Sequence, residues 1–150
     1  HGYSRWLSLG GNLTCNDVRD NMPTALGTTM PNISYGERMP NQPYLFADAD
    51  VSFTWRDCIT KGDALSITYD NQYLRGFYYY SSRIGTNKSE YMVPDQFSHN
   101  ISLSYTLKDG RYNISVECRN LTNEHLYDNF SLQKAGRAFY AKLRVAFGGR

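Results

Sequence analysis

Phe139-Tyr-Ala-Lys-Leu-Arg-Val-Ala-Phe147 is the stretch whose reading decides the fold. Phe139, Ala141, Leu143, Val145 and Phe147 are apolar, and the interleaved set is Tyr140, Lys142, Arg144 and Ala146. A strand sends successive side chains to opposite faces, so this segment has one oily face and one cationic face. On a helix the two sets would be scattered around the axis.

The same period runs through most of the chain, and helical periodicity is absent almost everywhere. Gln96–Leu107 sets Phe97, Ile101, Leu103, Tyr105 and Leu107 against Asn100, Ser102, Ser104 and Thr106. Tyr112–Cys118 sets Tyr112, Ile114, Val116 and Cys118 against Asn113, Ser115 and Glu117. Ala64–Tyr73 sets Leu65, Ile67 and Tyr69 against Ser66, Thr68, Asp70 and Gln72. Tyr44–Trp55 sets Leu45, Ala47, Ala49, Val51, Phe53 and Trp55 against Asp48, Asp50, Ser52 and Thr54. Near the start, Leu7, Leu9, Leu13 and Cys15 oppose Ser8, Asn12, Thr14 and Asn16. Six antiparallel strands are expected.

Strand length and link length suggest where such a sheet would sit. The alternating runs approach the ~9–11 residues that a tilted strand needs to cross a bilayer, against ~5–6 for a mean strand in a soluble domain. Lys108-Asp-Gly-Arg111 reads as a tight hairpin turn, and Asp57–Gly62 is a second short link. The remaining links, Asp17–Gln42, Arg83–Asp95 and Asn120–Arg137, are long. Short and long links alternate strictly, as in outer-membrane barrels with short periplasmic turns and longer outer loops. Trp6, Trp55, Tyr105, Tyr112 and Phe147 fall near the short-turn ends, where an aromatic belt would lie. Trp6 is out of phase with Leu7; the alternation gives no account of this, and a local bulge near Gly10-Gly11 is one cause that would produce it. The fold class is therefore all-β, an antiparallel up-and-down transmembrane β-barrel segment of about six strands.

Composition agrees. The 150 residues carry 16 basic and 14 acidic side chains, a net +2, which gives no electrostatic reason to expect nucleic acid. Mean hydropathy is negative, as alternation makes it in barrel strands. Thirteen Tyr supply side chains suited to oily and aqueous boundaries. Cys15, Cys58 and Cys118 are odd in number and widely spaced, so they read as small apolar fillers.

Specific stretches then resemble a family. Val116-Glu-Cys-Arg-Asn-Leu-Thr-Asn-Glu-His-Leu-Tyr127 is similar to the penultimate strand of TonB-dependent receptors. Gln133-Lys-Ala-Gly-Arg-Ala-Phe-Tyr140 resembles that family's Pro-Gly-Arg-x-Phe/Tyr lead-in to the last strand, with Ala135 in place of Pro. Arg38-Met-Pro-Asn-Gln-Pro-Tyr-Leu-Phe46 resembles a segment where a long outer loop enters a strand. The resemblance implies that residues 1–150 are the C-terminal part of a 22-stranded barrel domain, its last six strands, with a plug and the earlier strands outside this sequence.

It implies TonB-energised uptake of a scarce large solute across the outer membrane of a Gram-negative bacterium. An iron–siderophore or haem complex is the commonest cargo of the family, with cobalamin and glycan fragments as others. The implied partners are outer-membrane lipid, the TonB complex reached through the plug, the barrel-assembly machinery and a small-molecule or metal-chelate cargo. The chain reads as no enzyme, and no catalytic, cofactor-binding or metal-binding residue is assigned. Phe139, Leu143, Val145 and Phe147 match the pattern read as an assembly signal, and cargo contact is expected first in Asp17–Gln42 and Arg83–Asp95.

Competing readings attach to particular residues. A soluble secreted β-sandwich binding module would also alternate. Asn-x-Ser/Thr at Asn12, Asn32, Asn87, Asn100, Asn113, Asn120 and Asn129 admits a glycoprotein, although a polar strand face generates the motif by its period. Asp17, Asp20, Asp48 and Asp50 lack calcium-loop spacing. His99 and His125 admit haem or metal ligation or an ordinary surface role. Phe77-Tyr-Tyr-Tyr80 reads as an aromatic strand end, or as a stacking platform for a flat ligand.

Overall fold

The structure is a computed structural model that describes residues 6–80, 89–108, 110–128 and 131–147. Six long strands form one antiparallel sheet: β1 (Leu7–Cys15), β2 (Leu45–Arg56), β3 (Ala64–Leu74), β6 (Gln96–Leu107), β7 (Tyr112–Arg119) and β8 (Ala138–Val145). Their order in the sheet is β1-β2-β3-β6-β7-β8, so each pairs with its sequence neighbour in up-and-down fashion. Two short strands, β4 (Phe77–Tyr78) and β5 (Met92–Val93), pair only with each other inside the link from β3 to β6. The expected six strands are present. The small β4–β5 pair is an addition that the alternation of Phe77-Tyr-Tyr-Tyr80 did not reveal.

One register runs through the sheet without slip. Leu7, Phe53, Ile67, Leu103, Val116 and Ala141 are partners in a single row across all six strands. Paired residues of neighbouring strands share a face, so Leu103, Val116 and Leu143 lie together and Ser104, Glu117 and Arg144 lie opposite. No bulge interrupts β1: Leu7 to Cys15 pair continuously with Phe53 to Leu45. The bulge expected from Trp6 is therefore absent. Trp6 precedes the first paired residue, and only its carbonyl, accepting from Thr54 N–H at 2.9 Å, touches the ladder. Gly10 has a different reason: a Cβ there would meet the Asp50 carboxylate.

The sheet is a single layer and is not closed, since β1 and β8 do not pair. No second sheet covers the apolar face among the described residues. Leu9 is 71% exposed and Leu143 68%, and the buried hydrophobic residues among those described are Phe77, Val93 and Cys118. The accessible surface is 11217 Å² for a 17.2 kDa chain, against about 7,800 Å² for a folded monomer of that mass. The chain thus has no interior comparable to a globular domain. Each exposed Leu forgoes about 1.5–3 kcal/mol of apolar burial.

Aromatic side chains bound the apolar face in two rows. Below the row through Leu103, Trp55 and Tyr105 lie two residues down, Tyr112 four and Phe147 six. Above it, Tyr73 and Phe97 lie six residues up and Phe139 two. Both rows descend toward β8 by about one residue per strand. With a rise of about 3.4 Å and a strand spacing of about 4.8 Å, that slope is roughly 35–45°.

The short turns are built by side chains. Asp63, 3% exposed, accepts N–H from Cys58 at 2.8 Å, Ile59 at 3.0 Å and Thr60 at 2.8 Å, and the Tyr105 hydroxyl at 2.6 Å. Those donors, the hydroxyl foremost, hold its carboxyl well below the usual range, at about 2. Cys58 and Cys15 are exposed, and only Cys118 fits the filler reading. At the second turn Gly110 has φ 97°, the left-handed geometry a tight Asp-Gly turn requires; Asp109 lies outside the described residues.

A carboxyl depressed in the fold stabilises above its ordinary value of 3.8, and that contribution is lost as pH falls toward about 2. Amide exchange in micelles should show Ile59 and Thr60 protected at pH 5 and progressively unprotected below pH 3. Asp63→Ala should remove their protection at every pH; protection retained in that variant would show that the turn does not depend on the carboxylate.

Candidate functional site

The described parts of the long links gather at the sheet end opposite the short turns. The first link folds back on itself through bridges between Arg19 and Arg38 and between Thr24 and Pro31. Asp17 organises its base, accepting from Arg38 Nε at 2.6 Å and from Arg19 at 3.0 Å. The two guanidiniums, Arg38 first, hold the Asp17 carboxyl down at about 2. Asp20 accepts from Met22 N–H and Asn32 Nδ2, both at 2.9 Å, and its carboxyl is also lowered, by Met22 first. The Arg38 guanidinium lies 3.8 Å from the Tyr44 ring centroid.

The β4–β5 pair forms the facing wall. Asp95 fixes its base, accepting Gly76 N–H at 2.8 Å, the Tyr73 hydroxyl at 2.7 Å and Arg75 at 3.1 Å. These partners, Gly76 foremost, lower the Asp95 carboxyl below its ordinary value. Gly76 is required by close approach: a Cβ would stand 2.8 Å from the Val93 carbonyl and 3.0 Å from Asp95 N. Above it, Phe77 and the fully buried Val93 form a miniature core. Tyr79, Tyr80 and Tyr91 cluster with ring centroids 4.8–5.8 Å apart. Asn41 N–H donates to the Tyr78 carbonyl at 2.7 Å and ties the two walls together.

Between them lies an open groove of about 630 Å³, whose lining includes Arg19, Arg38, Tyr44, Phe77, Tyr78 and Tyr80. It offers ring faces, hydroxyls, the Arg19 and Arg38 guanidiniums already paired with Asp17, and the Glu37 side chain, a set suited to a polar ligand with flat parts. Of the two links expected to make cargo contact, Asp17–Gln42 lines the groove, whereas the described residues of Arg83–Asp95 only back the wall through Met92–Val93; residues 83–88 lie outside the described residues. Phe77-Tyr-Tyr-Tyr80 is part of this wall and not a simple extension of β3, because the strand ends at Leu74.

Other candidate residues go elsewhere. Asp48 accepts from Gln72, and Asp50 lies over Gly10, both on the polar face. Asp17 and Asp20 are engaged as described. Among the described residues no group of three or more His, Cys, Asp or Glu could hold a metal ion. His125 is exposed on the last link. His99 sits on the apolar face, its Nδ1 hydrogen-bonded to the Tyr69 hydroxyl and its ring 4.2 Å from Phe97. Phe139, Leu143, Val145 and Phe147 share the apolar face at the β8 edge, Phe147 standing two residues past the strand.

The stretch Val116–Tyr127 has a structural task. Asn120, 3% exposed, uses its side chain to bond both the N–H and the carbonyl of Glu124. Asn123 Oδ1 accepts Arg137 N–H at 2.9 Å and stands where a Gly136 Cβ would be, so two distant motifs meet. Asn32, Asn100 and Asn113 are likewise hydrogen-bonded through their side-chain amides, and the exposed Asn12 amide donates to Thr14 Oγ1 at 3.3 Å. Asn87 and Asn129 lie outside the described residues.

Comparison with protein-family models, with curated proteins and with solved structures gives no match for this chain.

Gly76→Ala must displace the backbone at Val93 or Asp95, and so open the groove. A ligand held in the groove should then bind at least about tenfold more weakly, while strand content measured by circular dichroism stays normal. Unchanged ligand affinity would remove the groove from the binding surface.

Proposed function

We propose that this chain is the C-terminal part of an outer-membrane β-barrel receptor of the TonB-dependent type, which takes up a scarce large solute. An iron–siderophore or haem complex is the cargo we favour, contacted by the groove at the long-link end. The observation that carries the reading is the exposed apolar face bounded by two parallel aromatic rows.

A flat membrane boundary cuts tilted strands at a height that shifts steadily from one strand to the next. The slope of roughly 35–45° equals the strand tilt of transmembrane barrels, ≈ 35–45°. The rows also have a suitable separation. Tyr105 and Phe97 on β6 are eight residues apart, as are Phe139 on β8 and Phe147, two residues past its end. At about 3.4 Å per residue and that tilt, the apolar band is roughly 21 Å tall, close to the ≈ 25 Å of outer-membrane barrels.

The open edges fit the same reading. β1 and β8 present backbone groups that in lipid must pair with further strands. Lys142 and Arg144 belong to the polar face, which would line the lumen. A one-residue slip would put them in lipid at about 2–4 kcal/mol each near the midplane. Energy for uptake comes from the TonB complex acting on a plug, and the role of this chain is wall, outer loops and closing strand.

Two measurements test the reading. In proteoliposomes, lipids brominated near the headgroup should quench Trp55 fluorescence at least about twofold more than lipids brominated at the chain end, with Trp6 replaced by Phe. No quenching by either would place Trp55 outside the membrane. Growth of a receptor-deleted strain under iron limitation should require the receptor and an intact TonB complex; growth independent of both would overturn the transport role.

The β8 edge carries the assembly function. Phe147→Ala should lower the amount of heat-modifiable receptor several-fold, whereas Phe147→Tyr should not. Equal assembly of all three proteins would leave Phe147 as a belt residue alone.

A further inference from the structure

The apolar face is interrupted by one polar pair. Asn71 on β3 and His99 on β6 are direct register partners, four residues above the row through Leu103. They belong to the same face as Tyr69, Tyr73 and Phe97 and lie just beneath the upper aromatic row. If this face meets lipid, as the proposed function requires, both side chains lie within the band. An unsatisfied polar group there costs several kcal/mol.

Their hydrogen bonding is incomplete in a particular way. The Tyr69 hydroxyl occupies His99 Nδ1. With that hydroxyl donating, the neutral imidazole carries its proton on Nε2 and has one donor to spare. The Asn71 side chain, which has both a carbonyl acceptor and an amide donor, makes no hydrogen bond among the described residues. Beside it, Ala49 pairs with Asn71, and Gly11 pairs with Ala49, so the flank of the patch is low.

We infer that this patch is a lateral contact between two copies of the receptor. A two-fold axis along the membrane normal, passing between β3 and β6, sets Asn71 of each copy against His99 of the other. Such an isologous contact requires a self-complementary patch, and a donor beside an acceptor on neighbouring strands supplies one. His99 Nε2–H donates to the partner's Asn71 side-chain carbonyl, twice by symmetry. The small side chains of Ala49 and Gly11 allow close approach, as small residues do at contacts within membranes. Tyr73 and Phe97, 6.3 Å apart and edge to face, pack above the polar pair at the height of the headgroups.

The test uses the receptor in its native outer membrane. Cys15, Cys58 and Cys118 are first replaced by Ser. Copies carrying Asn71→Cys and copies carrying His99→Cys are then co-expressed with distinguishable tags. Oxidation should yield a disulfide-linked heterodimer, with much less product when both copies carry a cysteine at a lipid-facing position remote from the patch, Leu143→Cys. Independently, His99→Leu should raise the dissociation constant of fluorescently tagged receptor in bilayers about tenfold or more, and His99→Gln, which keeps a donor, should largely restore it. Heat-modifiable mobility identifies correctly assembled protein in each variant. Assembled wild-type receptor that is monomeric, or a dimer unaffected by His99→Leu, would overturn the contact and leave the barrel reading intact. Receptor recovered outside the membrane fraction would overturn both.

Discussion

Every long strand in this molecule depends on one constraint: an unslipped register that keeps a period of two in phase across six strands. The row through Leu7, Phe53, Ile67, Leu103, Val116 and Ala141 is its clearest expression. Because side chains alternate strictly, a shift of one residue on any strand would exchange its faces. On β8 that exchange would trade Leu143 for Arg144, and on β2 Val51 for Asp50. The hydrophobic pattern therefore fixes the pairing more firmly than the backbone ladder could. Cross-strand polar contacts, such as Ser52 with Thr68 and Thr54 with Ser66, each at 2.9 Å, support the same register from the other face.

The links obey a different physics. Freed from alternation, they are held by carboxylates and amides that accept several donors at once. Asp63 closes a short turn, Asp17 joins the ends of the first link, and Asp95 anchors the β4–β5 pair. Asn120 and Asn123 do the same for the last link, each in a left-handed conformation that Asn tolerates better than most residues. These knots let two long links form a groove above a sheet with almost no core. Recognition on loops and rigidity in strands is the usual division of labour in such scaffolds.

The apolar face is not uniform. Most of it is apolar and bounded by rings, as a wall in lipid would be. The Asn71–His99 pair departs from that pattern at one height, where a self-complementary contact between two copies would satisfy both groups. Polar residues facing lipid are expensive, so their placement carries information that an extra Leu would not.

Much of this was legible in the residues. Alternation determined the six strands and their faces, because period two is a local geometric property that survives any environment, and the alternating short and long links pointed to the neighbour order. Aromatic positions near the short turns were legible for the same reason. Other features were decided only in three dimensions. The slope of the aromatic rows needs the register, which relates residues on different strands and is invisible along one. Asp63 carries no signal along the chain, and only the folded turn brings four donors to its carboxylate. Trp6 suggested a bulge from phase alone, but it lies before the pairing begins. The β4–β5 wall was hidden because two-residue strands are too short to display a period. Asn71 and His99 are 28 positions apart, and only the β3–β6 pairing sets them side by side.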